Sequence, residues 1–450
     1  MMHFRFQIQY QVLGRTPGVG ASAHYLQLGN WGILLDAGLD PAGSGETMLP
    51  DFERIRNRPV NAIVISHAHL DHIGALPVAI RYFPHARIYM TSATAALAEP
   101  LLFHYLKVQR RKALEEKVAF QPPYSEQEVE QLLYLMQSFQ YNFPFRIHGF
   151  QESEIVLTFW DAGHILGSAG VEIAWKERRI FYTGNTRKSA QFILRGARYP
   201  QSTEILMTEA TYGADAEAER VTRAQEVRRF ATFLKERIRF NGSVLIPVFA
   251  LGRTQEVLVL LHQLIQKNRI PLANIYVTGF GIEMNRVYDR LLHKVYPDYA
   301  PRQIRAIAAA ALRGKRFRAP AIILATSGMM WPNTLSYEIA RDFLQDARNG
   351  IAFVGWADPE TPGGMLRQGK IERIKQLFGV DEIHCRVEVF RFSAHSHREE
   401  LLQMVRQMQP KQVILHHGEA PALNWMKDAI EKRGLSENVL IPQSGIFYQL

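Results

Sequence analysis

The chain has 450 residues, 47% hydrophobic and 21% charged, proportions that suit a folded protein with a sizeable core and exclude extended disorder. A single cysteine, Cys385, excludes an internal disulfide and a cysteine-built zinc site. The formal charge of +10 favours polyanionic partners, nucleic acid first and acidic membrane second, and the length allows two or three domains.

Along the chain, short apolar runs alternate with helical patterns. The opening "MMHFRFQIQYQVLG" alternates polar and apolar residues and reads as a strand, without the apolar core and cleavage site of a signal peptide. "GILLDAG" and "NAIVISHAH" follow as buried strands, then helical "SATAALAEPLLFHYLKVQRRKALEEK" and "SEQEVEQLLYLMQSFQ". "RRIFYTGN" and "EILMTEATYG" are strands again, and "TRAQEVRRFATFLKERIRF" is a basic amphipathic helix. Strands recur at "SVLIPVFALG", "NIYVTG", "AIILATSGMM", "IAFVGW", "EVFRFSAH" and "QVILHHGE". Several end in a Gly-containing turn that carries Asp, Glu, His or Asn, the place where α/β proteins keep their chemistry. No apolar run approaches the roughly 20 residues that span a bilayer, so a cytoplasmic protein without a membrane partner is expected.

The densest of these turns is "SHAHLDHIG", Ser66 to Gly74. His67 and His69 can face one way on an extended segment, and Asp71 and His72 can turn toward a neighbouring point. One loop thus offers two ligands to each of two metal ions, and imidazole with carboxylate favours zinc, with manganese or iron as alternatives.

His-x-His-x-Asp-His after a strand resembles the signature of the metallo-β-lactamase superfamily. "ILLDAG" resembles its first motif, with Asp36 supporting the ligand loop, "DAGHILGSAG" its third, with His164, and "FYTGN" falls where the fourth belongs. "TEATYG", "FSAHS" and "HHGE" resemble motifs A, B and C of the β-CASP branch, at Glu209, His395 and His417, and "GRTQE" and "ATSGMM" also fit that branch. The wording is closest to the RNA-cleaving group. The resemblance implies a metallo-β-lactamase α/β/β/α sandwich, residues 1–200 and 376–450, with an inserted α/β β-CASP cap at residues 201–375. It implies a first metal on His67, His69 and His164 and a second on Asp71, His72 and His417. The implied activity is zinc-dependent hydrolysis of single-stranded RNA by a metal-bound hydroxide, with His395 as proton donor, oriented by Glu209, and products ending in 5′-phosphate and 3′-hydroxyl. The site is then expected in the cleft between sandwich and cap.

One position departs from the pattern. The fourth motif normally ends in an aspartate that bridges both ions, and this chain has Asn185. An amide is neutral, offers one carbonyl oxygen, and cannot help offset the repulsion between two dications about 4 Å apart. Three readings stay open: two ions held weakly, one ion on the three histidines, or a non-catalytic relative that binds RNA or a partner as a scaffold. Asp161 could compensate in principle, although an aspartate there is common in the family without a ligand role.

Arg253, Arg316 and Arg318 are candidate RNA contacts. Phe317 between the last two could stack a base or belong to a plain basic loop, and "RRKALEEK" is a second basic segment. His416 and His397 match no ligand position and read as structural or solvent-facing. Relatives in this group often pair, so a homodimer is an open partner.

Overall fold

A computed structural model of the chain describes residues 7–40, 43–148, 152–298, 309–312 and 314–450. The chain forms two compact units: unit 1 comprises Met1–Ala190, Arg195–Ala216 and His395–Leu450, and unit 2 comprises Gln191–Leu194 and Glu217–Ala394.

Unit 1 contains two seven-stranded sheets. In spatial order the first is Tyr448–Gln449, Ile8–Val12, His24–Leu28, Trp31–Leu35, Ala62–Val64, Arg87–Thr91 and Met136–Phe139. The second is Asn438–Leu440, Gln412–His416, Ile205–Glu209, Arg178–Tyr182, Ala169–Trp175, Glu152–Asp161 and Phe145–His148. Period-two alternation gives each strand one apolar face. Ile155, Leu157 and Phe159, with Val171, Ile173 and Trp175, share one core with Ile8, Tyr10, Leu26 and Leu28 of the first sheet. Helices cover the outer faces. Ser92–Glu116 lies against Arg87–Thr91 and Met136–Phe139. Arg398–Met408 and Ala420–Lys432 bury Leu401, Val405, Leu423 and Met426 against Phe181, Leu206, Val413 and Leu415. The arrangement is the expected α/β/β/α sandwich.

Unit 2 has a six-stranded, wholly parallel sheet in the order Ala309–Leu312, Asn274–Thr278, Ala321–Ala325, Val244–Pro247, Gly350–Phe353 and Arg386–Val389. Its central strands are buried on both faces, which is why they read as continuous apolar runs. Apart from the short excursion Gln191–Leu194, the chain passes to unit 2 at Ala216/Glu217 and returns at Ala394/His395, where positions 200 and 375 were expected. Pairing sets these two crossings. Ile205–Glu209 lies between two unit 1 strands, and Arg386–Val389 pairs with Gly350–Phe353 of unit 2.

Two elements differ from the expectation. The helix expected through "SEQEVEQLLYLMQSFQ" stops at Leu135, and Met136–Phe139 becomes an edge strand parallel to Arg87–Thr91. Tertiary packing overrides propensity there: the Phe139 ring stacks on Phe145 at 3.6 Å and 5°. In "EVFRFSAH" the strand ends at Val389, and His395 lies on a loop that begins the last segment of unit 1. No helix among the described residues is long and apolar enough to cross a membrane.

Candidate metal centre

Apart from His395, which lies on a loop after the unit 2 strand Arg386–Val389, the motif residues lie at or just beyond the carboxyl ends of unit 1 strands. Asp36 follows Trp31–Leu35, His67 follows Ala62–Val64, His164 follows Glu152–Asp161, Asn185 follows Arg178–Tyr182, Glu209 ends its own strand, and His417 follows Gln412–His416. His69 caps the one-turn helix Leu70–Ile73, which presents Asp71 and His72. Backbone bonds clamp that turn: Ser22 N–H donates to the Asp71 carbonyl, Ala37 N–H to His72 and Leu39 N–H to Leu70, each at 2.8 Å. Gly38 permits this approach, since a Cβ there would meet the Asp71 carbonyl oxygen at 1.7 Å.

Asp36 is fully buried and has φ +62°, a left-handed conformation that aspartate tolerates better than most residues. Its Oδ1 accepts the Ser66 N–H at 2.7 Å. Its Oδ2 accepts the Tyr182 hydroxyl at 2.6 Å, the His72 Nδ1–H at 2.7 Å and the Ser66 hydroxyl at 2.8 Å. The Ser66 oxygen, having donated its hydrogen, accepts from His67 Nδ1 at 3.0 Å. Both imidazoles are thereby set to present Nε2. Both Nε2 atoms are buried without a hydrogen-bond partner among the described residues.

Two ligand groups result. The donor atoms of His67, His69 and His164 lie within 4.8 Å of one another, as do those of Asp71, His72 and His417. His164 Nε2 is 3.1 Å from His69 Nδ1, near the separation of about 3.4 Å between nitrogens on a tetrahedral zinc ion. Asp71 Oδ2 is 3.3 Å from His417 Nε2 and 3.6 Å from His72 Nε2. The two groups adjoin, with the His67 and His72 rings 4.0 Å apart. Burial pushes His67 and His417 down and keeps them neutral, the form a metal needs. Burial alone would raise Asp71, but His72 and His417 outweigh it and hold the carboxyl well below its usual range. Burial likewise opposes charge on His72, yet Asp71 and Asp36 prevail and raise it, so a cation there displaces a proton.

Asn185 is buried, and its Oδ1 has no hydrogen-bond partner among the described residues. A buried carbonyl oxygen without a donor costs about 1–3 kcal/mol, and a cation relieves that cost. The orphaned Nε2 and Oδ1 atoms and the converging donors therefore fit a metal ion. Asp161 Oδ1 accepts the Gly163 N–H at 2.9 Å.

Beside the ligands, His395 Nδ1 lies 2.8 Å from Glu209 Oε2. Glu209 is fully buried and accepts the Thr186 N–H at 2.6 Å and the Thr211 hydroxyl. Burial raises its carboxyl, but His395 first and His417 next outweigh this and hold it below its usual range. The His395 ring is 4.5 Å from that of His164.

The arginine expectations fare differently. Arg253 is buried in unit 2, where its guanidinium donates to the Phe392 carbonyl and to Gln191. Its place on the first turn of Arg253–Gln266 fixes it there, and an RNA contact is not available to it. Arg316 and Arg318 are exposed, whereas Phe317 packs near Tyr276 and Phe343 at the unit 2 core and is not a free base platform. Charges of "RRKALEEK" pair with nearby acids: Arg110 with Glu126, Arg111 with Glu115 and Lys112 with Glu116. His416 is buried and stacks on Tyr182 at 5.1 Å, and His397 caps Arg398–Met408. Three site residues escaped the sequence reading: Ser66, Tyr182 and Thr211. Each sits within a quoted motif, but nothing in the spacing shows which way a hydroxyl points.

Comparison with known proteins agrees with this geometry. Residues 25–211 match the family described as metallo-beta-lactamase superfamily domain, 254–366 the Beta-Casp domain, and 380–442 the Zn-dependent metallo-hydrolase RNA specificity domain. The chain is 28% identical over 94% of its length to cleavage and polyadenylation specificity factor 73 of Drosophila melanogaster. It is 27% identical over 94% of its length to endoribonuclease YSH1 of Candida glabrata. It spans 62% and 56% of those two relatives. A solved structure from Enterococcus faecalis, of unknown function, superposes with TM-score 0.59 and 15% identity over 99% of this chain and all of that one, a likeness of fold. The chain belongs to the metallo-β-lactamase superfamily, in its β-CASP branch.

Proposed function

We propose that the chain is a zinc-dependent ribonuclease that hydrolyses phosphodiester bonds of single-stranded RNA. The observation that carries this reading is the convergence of two three-residue ligand groups beside a Glu209-bound histidine. His67, His69 and His164 would hold one ion, and Asp71, His72 and His417 with the Asn185 oxygen a second. Zinc so held supplies positive charge to phosphate oxygens and acidifies a water.

The chain supplies the rest. Asp36 and Ser66 orient the His72 and His67 rings so that each presents Nε2 to an ion. His395, its Nδ1 held by the Glu209 carboxylate, carries at Nε2 the proton for the leaving 3′-oxygen, and the products are a 5′-phosphate and a 3′-hydroxyl. The net charge of +10 draws in the polyanion, and exposed Arg316 and Arg318 offer phosphate contacts. A relative named as an endoribonuclease supports catalysis over the binding-only reading that Asn185 opened.

The test is cleavage of end-labelled single-stranded RNA with added zinc or manganese, beside His67→Ala. Metal-dependent cutting that the variant lacks is expected. RNA that is bound but never cut under any of these conditions would overturn the enzymatic reading.

A further inference from the structure

The Thr211 hydroxyl stands between the second ligand group and the proton donor. Its oxygen is 3.0 Å from His417 Nδ1, 3.1 Å from the His417 carbonyl, and donates to Glu209 Oε2. A hydroxyl has one hydrogen, and a carboxylate competes for it better than a neutral carbonyl. With the hydrogen on Glu209, the Thr211 oxygen is an acceptor toward His417, so His417 must carry its own hydrogen on Nδ1. Its Nε2 then turns a lone pair toward Asp71 Oδ2 at 3.3 Å. Two lone pairs that close repel unless a cation lies between them. The same hydroxyl and the Thr186 N–H hold the Glu209 carboxylate where it meets His395 Nδ1.

We infer that Thr211 is a positioning residue that couples the second metal position to the proton donor. One chain of contacts runs Asp71, His417, Thr211, Glu209, His395, hydrogen-bonded from His417 onward and entirely within unit 1. Loss of the hydroxyl frees His417 to take the other tautomer and frees Glu209 to rotate. Both ends of the chain loosen together.

This inference rests on the proposed metal-dependent cleavage, but its metal arm can be read without it. Thr211→Val keeps the shape and removes the hydroxyl, and Thr211→Ser restores it. Each is made in the unaltered chain and in the Asn185→Asp background, which strengthens the second position. Zinc affinity is measured by chelator competition, and kcat and KM on single-stranded RNA. The valine variant should bind the second zinc equivalent about tenfold more weakly, keep the first, and lose kcat with KM unchanged. The serine variant should recover both. A valine variant with parental zinc affinity, or a serine variant as impaired as valine, overturns the proposal. So does a background that never takes a second equivalent, because His417 is then no ligand. If no parent protein cuts RNA while the zinc results follow the expectation, the ribonuclease reading fails and the coupling to His417 stands.

Discussion

Asn185 places a neutral amide where the bridging acid of the family belongs, inside a site already crowded with imidazoles. Its orphaned Oδ1 can serve one cation, whereas a carboxylate can give an oxygen to each of two. Asn185→Asp is therefore expected to tighten the second zinc equivalent and raise RNA cleavage about tenfold or more, read as zinc stoichiometry and initial rates. An unchanged rate with two zinc ions bound would show that position 185 does not limit turnover. Asp36→Asn tests the opposite edge of the site. It keeps a side chain that tolerates φ +62° but weakens the acceptor that Ser66, Tyr182 and His72 share. Zinc affinity should fall by about 10- to 100-fold, with the loss larger at the His72 position, where the contact is direct.

The one-turn helix Leu70–Ile73 is too short to be stable by itself. Its three backbone bonds to Ser22, Ala37 and Leu39 hold it, and Gly38 lets the two segments touch. Gly38→Ala should push the Asp71 carbonyl away, destabilise the fold by about 1–3 kcal/mol, and weaken the second zinc equivalent more than the first. Urea unfolding and zinc titration check this; equal losses at both metal positions would point to general unfolding instead. At the same scale, Met136–Phe139 shows how little of an edge strand is written locally. Its residues continue a helical pattern, and the Phe145 ring decides otherwise.

For the folded chain as a whole, His24 governs part of the response to acid. It is buried in unit 1 with Tyr10 at 2.9 Å, and burial lowers its pKa from 6.5 to about 3. Between those values the unfolded chain binds a proton that the folded chain refuses. The contribution of neutral His24 is thus complete above about pH 6.5 and falls toward pH 3 by about 1.4 kcal/mol per unit. Urea unfolding at pH values from about 7 to about 4 should give a shallower dependence for His24→Gln than for the unaltered chain; parallel curves would refute the assignment. Binding of RNA should weaken steeply with salt, given the charge of +10. Arg316→Ala and Arg318→Ala should each lower affinity and reduce the salt slope by about 1, and unchanged slopes would remove both from the RNA surface.

The two candidate ligand groups were legible in the sequence because the chemistry is dense and local. His67, His69, Asp71 and His72 lie within one turn, and the other motif residues follow strands whose apolar runs mark where they end. The sandwich with its inserted α/β cap followed from the resemblance of these short motifs to the metallo-β-lactamase superfamily and its β-CASP branch, and the departure at Asn185 from a single side-chain type within one of them. Tertiary structure alone decided what depends on contact at a distance. It chose which nitrogen His67 and His72 present, since Asp36 reaches Ser66 and His72 across 30 and 36 residues. It buried Arg253 under the Phe392 carbonyl, 139 residues away, and removed it from any RNA surface. It also set the Thr211 hydroxyl on His417, 206 residues apart in the chain. A hydroxyl or guanidinium takes its role from the partner that folding brings to it, and neither its type nor its spacing in the chain names that partner.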